Sequence, residues 1–329
     1  MWTEASDAEG RGRIETMRIA IVGCGTIGMS WASLFLAHGF EVHAYDPAPG
    51  REALLRAFIA TATASLGHPV AADTSALHYH ADLADAVSTA QFVQENGPDS
   101  EEMKRALLAQ IDRLVPDDCI VATSTSSQLR SAIVADCQHP DRHIVAHPFN
   151  PPHLVPLVKI LGGAEWAVER AVGLYRRLGR HPIVMRREMR GHIANRLTSA
   201  LWREALFILQ EGAASVSDID DAVRYGPGLR WAVAGPYLTY HMAGGPGGIR
   251  HFLDHLGPGH VKRWADLGTP VLDADLEEKV VQGVRDAVGV RSMAECVEAR
   301  DAMLLALASI RCGQASDGDG DPLQSAHPT

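Results

Sequence analysis

Three glycines stand in the segment GCGTIG, at residues 23–28, with the spacing that a phosphate-binding turn requires. The apolar run RIAIV precedes this segment and a helical stretch follows it. In such a turn Gly23 permits the tight bend, Gly25 lets the backbone approach a pyrophosphate, and Gly28 lets the helix pack on the strand. The segment therefore predicts a binding site for a dinucleotide.

Two neighbouring features narrow the identity of that dinucleotide. The pyrophosphate would lie beside Thr26 and Ile27, at the positive end of the helix predicted over 29–38. Asp46 ends the next strand-like run, where a carboxylate accepts hydrogen bonds from ribose hydroxyls and repels a 2′-phosphate. These residues predict NAD, rather than NADP, as the cofactor.

Polar residues also follow the strand-like runs of the first half of the chain. They are Glu95, Asn96, Ser124, Ser126, Ser127, His147 and Asn150. The carboxyl ends of parallel strands meet at one edge of a sheet, and such sheets bind their ligands there. Packing alone explains these polar residues poorly, and we therefore expect them to line a ligand site.

One of these residues, His147, has the chemistry of an acid/base. An imidazole has an ordinary pKa of about 6.5 and exchanges protons near neutral pH. From the residues alone, a catalytic and a structural histidine both remain open. No metal site is predicted: His139, His143 and His147 are spaced by four, but Pro140 and the strand-like run 144–146 exclude the helix that would align them.

A sheet is needed to bring these positions together. Strand-like runs occupy 18–22, 41–46, 92–96, 120–124 and 144–150, and helical patterns occupy 29–38, 51–65 and 99–113. Strands that alternate with helices predict an α/β protein with a Rossmann-type, doubly wound parallel sheet. Beyond residue 188 the pattern predicts an all-α C-terminal domain, with a helix at 192–212 and breaker-rich connections at 226–236 and 243–248.

The chain divides into four segments on this interpretation. We predict a disordered extension at 1–16, an NAD-binding Rossmann domain at 17–188, a helical substrate and dimerisation domain at 189–312, and a disordered tail at 313–329. The helical domain carries apolar residues on several faces, and this predicts a homodimer that pairs through it.

Composition excludes several classes of protein. Of the 329 residues 46% are hydrophobic and 21% are charged, with a formal net charge of −10, which is typical of a globular protein. The acidic balance argues against nucleic acid or a membrane surface as a partner. Five cysteines without a CxxC pair argue against a zinc knuckle or a disulfide scaffold. We expect a cytoplasmic enzyme with a small-molecule substrate.

Four segments together resemble those of one enzyme family. They are GCGTIG (23–28), STSS (124–127), AHPFNPP (146–152) and GHIANRL (191–197). In this combination the chain resembles the 3-hydroxyacyl-CoA dehydrogenase superfamily over nearly all of 17–312, and within it the short-substrate branch. The resemblance implies an NAD-dependent enzyme that acts on CH–OH groups. It also implies cofactor contacts for Lys104 and for Asp99, which replaces the more usual glutamate.

The same resemblance implies the roles of the reacting residues. His147 would be the acid/base, taking the proton of the C3 hydroxyl as hydride leaves for the nicotinamide and returning it in reduction. Ser126 and Asn195 would hold the substrate oxygen and stabilise its developing charge. Asn150 would lie near the nicotinamide.

One position departs from the family pattern. The family carries a glutamate twelve residues after the catalytic histidine, where it stabilises the protonated imidazole, whereas Lys159 stands in the segment PLVK here. A cation beside an imidazole lowers its pKa. Three explanations are open: Lys159 points to solvent while Glu165 or Glu188 serves His147, the activity is weak or altered in pH profile, or the site binds cofactor for a different reaction.

The expected substrate is a free 3-hydroxy or 3-keto acid rather than a CoA thioester. Relatives that use CoA carry lysines on the helix after the second strand, whereas Arg51 and Arg56 are the lysine or arginine residues of 51–72. A phosphate-bearing tail would find few partners there. Arg230 is predicted to clamp a substrate carboxylate, with Trp231 beside it.

The substrate itself stays open at this point. Trp202, Trp231, Tyr237 and Tyr240 could form an aromatic box for a trimethylammonium group, and core packing explains them equally well. Three functions remain: a dehydrogenase of a free acid such as L-carnitine or L-gulonate, a ketoreductase of an aromatic polyketide-type pathway, and an NAD-binding protein whose catalysis is weak or altered by Lys159.

Overall fold

The computed structural model describes residues 17–65 and 74–316. The predicted extension at 1–16 and most of the predicted tail, 317–329, lie outside the described residues. The chain divides into two compact units between Ile193 and Ala194. Each unit is described by itself below.

The first unit contains an eight-stranded sheet. Its strands are β1 (Arg18–Val22), β2 (Glu41–Tyr45), β3 (Leu77–His80), β4 (Phe92–Glu95), β5 (Ile120–Thr123), β6 (His143–Pro148), β7 (Leu157–Leu161) and β8 (His181–Val184). Their order across the sheet is β3-β2-β1-β4-β5-β6-β7-β8. Neighbouring strands are parallel except β6 and β7. The predicted doubly wound sheet is confirmed, with one antiparallel pairing that was not predicted.

Helices cover both faces of this sheet. They are α1 (Thr26–Ala37), α2 (Arg51–Ser65), α3 (Leu83–Val87), α4 (Glu101–Asp112), α5 (Arg130–Ile133) and α6 (Glu165–Arg177). Alternate residues of β1 belong to two different hydrophobic clusters, with Ile19 and Ile21 in one and Ala20 and Val22 in the other. A strand that is buried on both faces reads as a continuous apolar run, which explains why β1 could be predicted.

Several elements of the first unit were missed by the sequence interpretation. Strand β3 reads LHYH and β7 reads LVKIL, so polar residues interrupt the apolar run in each. α3, α6 and β8 were also not predicted. Helix α1 begins at Thr26 rather than at 29, because Gly25 adopts an extended conformation and caps it.

The second unit is helical. Its helices are α7 (His192–Gln210, whose first two residues belong to the first unit), α8 (Val216–Tyr225), α9 (Pro227–Trp231), α10 (Pro236–Ala243), α11 (Gly248–His255), α12 (Gly257–Asp266), α13 (Ala274–Val288) and α14 (Met293–Ser316). Short helices replace much of the predicted connection at 226–236. Pro227 and Pro236 lie in the first turns of α9 and α10, where a backbone N–H has no partner within the helix and its absence is tolerated. α14 continues beyond the predicted boundary at 312.

Among the described residues, no helix combines the length and the apolar character that a bilayer span requires.

Candidate active site

A groove of about 520 Å³ lies where β1, β2 and β4 end. β1 and β4 are neighbours in the sheet although β2 and β3 lie between them in the sequence. From β1 the chain adds β2 and β3 on one side, and it then returns to add β4 and the later strands on the other side. Sheets of this type bind their ligands at such a switch point. Gly23, Gly25, Asp46 and Asn96 line the groove, which confirms that the glycine segment and the acid lie together.

The glycine segment leaves room for a pyrophosphate. A Cβ atom added to Gly25 would meet no other atom within 4 Å, so the backbone there faces open space. A Cβ on Gly23 would lie 2.8 Å from the backbone of Asn96, and one on Gly28 would lie 1.9 Å from the Gly23 carbonyl oxygen. No side chain caps the first turn of α1 at Thr26, so its N–H groups are available to an anion.

Asp46 joins this loop to the end of β2. Its Oδ2 accepts a hydrogen bond from the backbone N–H of Cys24 at 2.7 Å, and its Oδ1 accepts one from Ala48 at 2.9 Å. A carboxylate offers about four acceptor positions, so capacity remains for ribose hydroxyls. Arg51 lines the same groove. The loop, the helix N-terminus and the carboxylate together fit NAD.

Lys104 also lines this groove, but its charge is neutralised inside the protein. Its Nζ lies 2.9 Å from both carboxylate oxygens of Glu95, and both side chains are buried. Glu95 further accepts hydrogen bonds from the Gly97 N–H at 2.6 Å and the Thr123 hydroxyl at 2.5 Å. The visible role of the pair is to hold the turn after β4, and the cofactor contact of Lys104 stays a prediction.

Other polar residues at the strand ends bind one another. The Ser124 hydroxyl accepts a hydrogen bond from Gln94 at 2.9 Å and donates one to the Asn96 side chain at 2.8 Å. The Tyr175 hydroxyl donates a hydrogen bond to the side-chain Oε1 of Gln94 at 2.5 Å. These residues therefore have a structural role, which the sequence interpretation did not recognise.

Asp99 anchors the loop that carries Ser126. Its carboxylate accepts hydrogen bonds from the hydroxyls of Thr125, Ser126 and Ser127 at 2.5, 2.6 and 3.2 Å, and from the Ser126 N–H at 3.0 Å. Burial opposes ionisation of Asp99, yet these hydrogen bonds hold its pKa below the ordinary value. The contacts seen here give Asp99 a role in fixing this loop, and the cofactor contact that the family resemblance implies for it stays a prediction.

His147 lies near the carboxyl end of β6 and is buried. Lys159, on β7, is its direct partner across the antiparallel pair and is fully buried. Among the described residues, neither His147 Nδ1 nor Lys159 Nζ has a hydrogen-bond partner. The Lys159 ammonium lies 5.2 Å from the centre of the Phe149 ring. Lys159 therefore does not point to solvent, which removes one explanation for the departure from the family.

The surroundings of His147 keep its imidazole neutral. Burial, the charge of Lys159 and the neighbouring His192 lower the pKa of His147 to about 3, while Asp99 acts weakly in the opposite direction. Burial also lowers the pKa of Lys159 to about 8. A neutral imidazole donates a hydrogen bond through one ring nitrogen and accepts one through the other. It can therefore polarise a carbonyl group without carrying charge.

The two glutamates considered as replacements do not serve this histidine. Glu188 accepts hydrogen bonds from the backbone N–H and hydroxyl of Ser131 at 2.7 and 2.6 Å. Glu165 is exposed in the first turn of α6. The open explanation that one of them serves His147 gains no support, because Glu188 is engaged with Ser131, Glu165 is exposed, and the charges that act on His147 are those of Lys159, His192 and Asp99.

His192 is a neighbour of His147 that the sequence interpretation missed. The two rings lie 5.3 Å apart, and His192 Nε2 lies 3.3 Å from the carbonyl oxygen of Thr125, to which it can donate. His192 is buried and has a φ of 50°, which is uncommon for a residue other than glycine. The segment GHIANRL pointed to this region of the chain, but the spacing of residues does not reveal a contact between positions 67 apart.

The remaining predicted residues are exposed or belong to the second unit. Asn150 is exposed just after β6. Asn195, Arg230 and Trp231 belong to the second unit, so their roles stay predictions.

The predicted aromatic box divides into separate environments. Tyr240 stacks on Phe252 with ring centres 4.6 Å apart, as the packing alternative expects. Trp202 lines an apolar cleft of about 510 Å³ between α7, α8 and α13, and Tyr237 is 86% exposed. Among the described residues no ring contact joins any two of the four, so the structure gives no support to a box.

These features define a class of enzyme. A glycine loop at the switch point, with a ribose-binding carboxylate beside it, is the arrangement of an NAD-dependent dehydrogenase. A hydride-transfer enzyme of this class also needs a group that exchanges the hydroxyl proton, and the chain carries a buried imidazole in the same unit.

Sequence comparison assigns the family within this class. Residues 18–189 match the NAD-binding domain of 3-hydroxyacyl-CoA dehydrogenase, and residues 191–287 match the C-terminal domain of the same enzymes. The chain therefore belongs to the 3-hydroxyacyl-CoA dehydrogenase family.

Bacterial L-carnitine dehydrogenases are among its similar relatives. The chain is 44% identical to the enzyme of Nocardiopsis dassonvillei over 296 residues, which cover 88% of this chain and 90% of that protein. It is 42% identical to the enzyme of Pseudomonas aeruginosa over 311 residues, which cover 92% and 97%.

Solved structures show the same fold. 5-Formyl-3-hydroxy-2-methylpyridine 4-carboxylic acid 5-dehydrogenase, described as an NAD⁺-dependent dismutase, superimposes with a TM-score of 0.75 at 29% identity, covering 90% of this chain and 98% of that one. A diketoreductase superimposes with a TM-score of 0.59 at 25% identity, covering 75% and 94%.

Proposed function

We propose that this oxidoreductase interconverts a free 3-hydroxy acid and its 3-keto acid, with His147 exchanging the proton of the reacting oxygen. The observation that carries the proposal is the contact chain from Asp99 through Thr125 and His192 to His147. This chain brings the Ser126 loop and the imidazole to the same region of the first unit.

The residues of the chain would divide the work as follows. Bound NAD supplies the hydride acceptor in oxidation and, as NADH, the hydride donor in reduction. His147 is neutral at rest; in oxidation it would accept the hydroxyl proton on an unprotonated ring nitrogen and become an imidazolium, and in reduction it would return that proton to the keto oxygen. The Ser126 hydroxyl donates its single hydrogen to Asp99 in this structure, so it would have to turn from Asp99 to the substrate oxygen to act as a second donor to the developing negative charge.

A free acid fits the cofactor domain better than a CoA thioester. Of the two arginines on α2, Arg56 is engaged with Glu52, whose Oε1 lies 2.8 Å from its Nη2. Little positive charge therefore remains on this helix for the phosphates of CoA. The relatives named L-carnitine dehydrogenase suggest L-carnitine, and its keto form, as the first compounds to test.

An NAD-coupled screen tests this function. Purified protein is given NAD⁺ with L-carnitine, L-gulonate and 3-hydroxybutyrate, and NADH with the corresponding keto acids and an aromatic 3-keto acid, while absorbance at the NADH band is followed. Turnover of a free acid, with no turnover of its CoA thioester, supports the proposal. Turnover of the aromatic compound alone favours the ketoreductase alternative.

A second candidate function rests on Lys159. A buried ammonium beside His147 disfavours the imidazolium that the family mechanism forms, and this supports an NAD-binding protein with weak or altered catalysis. Tight NADH binding without turnover of any compound in the screen would favour this candidate.

We also propose that the second unit pairs with that of another copy. Met303, Leu307 and Ile310 lie on one face of α14 and are all exposed, and burial of such a face is favourable. Light scattering of the purified chain should give twice the mass of 35.4 kDa. A Leu307→Glu variant should then shift toward the monomer.

A further inference from the structure

A cluster of imidazole and carboxylate groups lies at the outer edge of the sheet. Glu41 and His43 are on β2, while His78 and His80 are on β3, the end strand. Residues two apart on a strand share a face, and the β2–β3 register places His43 beside His78. Val42 and Ala44, which alternate with these residues on β2, are buried in the hydrophobic core. The imidazole and carboxylate groups therefore lie on the face of the sheet opposite to that part of the core.

Three of these side chains point ligand atoms at one another. Glu41 Oε1 lies 2.9 Å from His43 Nε2 and 3.5 Å from His78 Nε2. All three ligand atoms lie within 4.8 Å of one another. A tetrahedral zinc ion with bonds of about 2.0–2.1 Å separates its ligand atoms by roughly 3.3 Å, so small side-chain movements would place all three around one ion.

His80 supplies the outer contact that a metal-binding histidine usually has. Its Nε2 lies 2.9 Å from His43 Nδ1, and the two rings are stacked with centres 5.0 Å apart. When one ring nitrogen binds a metal, the other N–H is normally donated to an acceptor that orients the ring. His80 is placed to accept that hydrogen bond from His43.

We propose that Glu41, His43 and His78 form a binding site for a zinc-like divalent cation, oriented by His80. Two imidazole nitrogens and one carboxylate oxygen form a ligand set that zinc accepts, with water in the fourth position. The spacing of these residues along the chain does not reveal the site, because they meet through the pairing of two strands. The site lies in the cofactor-binding unit and shares no residue with the groove.

A second cluster of possible ligands in the described residues is already occupied by a side-chain cation. Asp112, Cys137 and His143 also lie close together, but Arg142 already pairs with Asp112 at 3.0 Å and both are buried. The Asp112 carboxylate is therefore already neutralised by the Arg142 guanidinium. Glu41, by contrast, has Arg18 at 3.5 Å, and the Arg18 side chain is half exposed.

Because the bound ion would bridge β2 and the end strand β3, it should stabilise the edge of the first unit. The effect is independent of substrate and of turnover, so the inference stands or fails separately from the proposed function. The expected readouts are metal content, metal affinity and melting temperature.

The experiment uses the untagged, full-length chain after removal of metal with EDTA. Zinc chloride is titrated by calorimetry, and cobalt(II) chloride is titrated by visible absorption, which reports tetrahedral coordination. We expect one ion per chain at this site and a higher melting temperature when zinc is present. His43→Ala and His78→Ala should each weaken binding at least tenfold, and His80→Gln should weaken it by about ten- to a hundredfold.

His251→Ala is the matched control, because His251 and His255 form a stacked surface pair elsewhere, on α11. It should leave zinc binding unchanged. Glu41→Gln, which preserves the shape of the side chain, gives a second test if a histidine variant fails to fold. Equal zinc binding by the wild type, His78→Ala and Glu41→Gln would overturn the proposal, as would loss of zinc in His251→Ala alone.

Discussion

Lys159 lies directly opposite His147 across the antiparallel strands β6 and β7, and both side chains are buried. Among the described residues, Lys159 Nζ and His147 Nδ1 have no hydrogen-bond partner. The family pattern places a carboxylate here, so the charge beside the imidazole is reversed in this chain. The charge of Lys159 contributes, after burial, to the low pKa of the His147 imidazole.

Lys159→Glu should restore an imidazole that titrates in the ordinary range. A carboxylate favours the protonated ring, whereas burial and Lys159 now lower the pKa of His147 to about 3. The kcat/KM of the wild type should therefore show no transition near pH 6.5. In the variant, kcat/KM for oxidation should fall below that pH and kcat/KM for reduction should fall above it, as His147 titrates. The measurement is kcat/KM against pH, together with proton NMR of the histidine ring signals.

Lys159→Met is the neutral control for that experiment and should give an intermediate pKa for His147. An identical pH profile in the wild type and both variants would show that Lys159 does not act on His147.

The same Lys159→Met variant should be more stable than the wild type at pH 7. Burial lowers the pKa of Lys159 to about 8 in the folded protein from 10.5, so the unfolded chain binds more protons. The free-energy cost of burying the charged Lys159 is complete below about pH 8 and disappears as the pH rises toward 10.5. The free energy of unfolding of the wild type should therefore increase over that range. Urea unfolding should show a gain of about 1–3 kcal/mol at pH 7.

This gain should shrink when unfolding is measured near pH 10. A variant that is less stable than the wild type at pH 7 would mean that the ammonium is paired or solvated in the folded protein.

Asp99→Asn tests whether Asp99 serves the loop or the cofactor. An amide has one acceptor oxygen, so it cannot accept all the hydrogen bonds that Thr125, Ser126 and Ser127 donate. We expect kcat to fall by about 10- to 100-fold, because the Ser126 hydroxyl loses its position. The dissociation constant of NADH, measured by fluorescence, should change by less than about threefold.

Asp117→Asn, a change at an exposed acid of the same unit, is the control and should be neutral. A large loss of NADH affinity in Asp99→Asn with unchanged kcat would instead support the cofactor contact implied by the family.

Asp46→Asn should relax the choice of cofactor. The amide keeps a hydrogen-bond acceptor for the Cys24 N–H but removes the charge that repels a 2′-phosphate. We expect NADH to bind about tenfold more weakly and NADPH to bind more tightly, helped by Arg51 in the same groove. Fluorescence titration with both nucleotides gives the ratio, and an unchanged ratio would count against a ribose contact of Asp46.

Local patterns were enough to predict much of the fold. β1 is a continuous apolar run because both faces of the sheet are covered, and α2 has the predicted bounds at 51–65. β3 and β7 were missed because His78, His80 and Lys159 interrupt their apolar runs. Pairing with neighbouring strands, which is not visible in a local pattern, makes these segments extended.

The candidate site was predictable only where its signals are local. The glycine segment and Asp46 are recognised by spacing, and the structure places them in one groove. His192 contacts Thr125, which lies 67 positions earlier in the chain, and Asp99 contacts Thr125, which lies 26 positions later. Contacts over such separations are not visible in the spacing of residues. The burial of Lys159 likewise depends on the antiparallel pairing of β7, which was not predicted.

The proposed function requires that this chain turn over a free 3-hydroxy acid through His147. The most direct measurement is NADH formation from NAD⁺ and L-carnitine, and NADH oxidation with its keto acid, by the wild type and by His147→Gln. We expect turnover by the wild type, with kcat lowered by about 10²–10⁴-fold in the variant and NADH affinity retained. Equal turnover by both proteins would rule out the role of His147, and NADH binding without turnover of any free acid would rule out the proposed function.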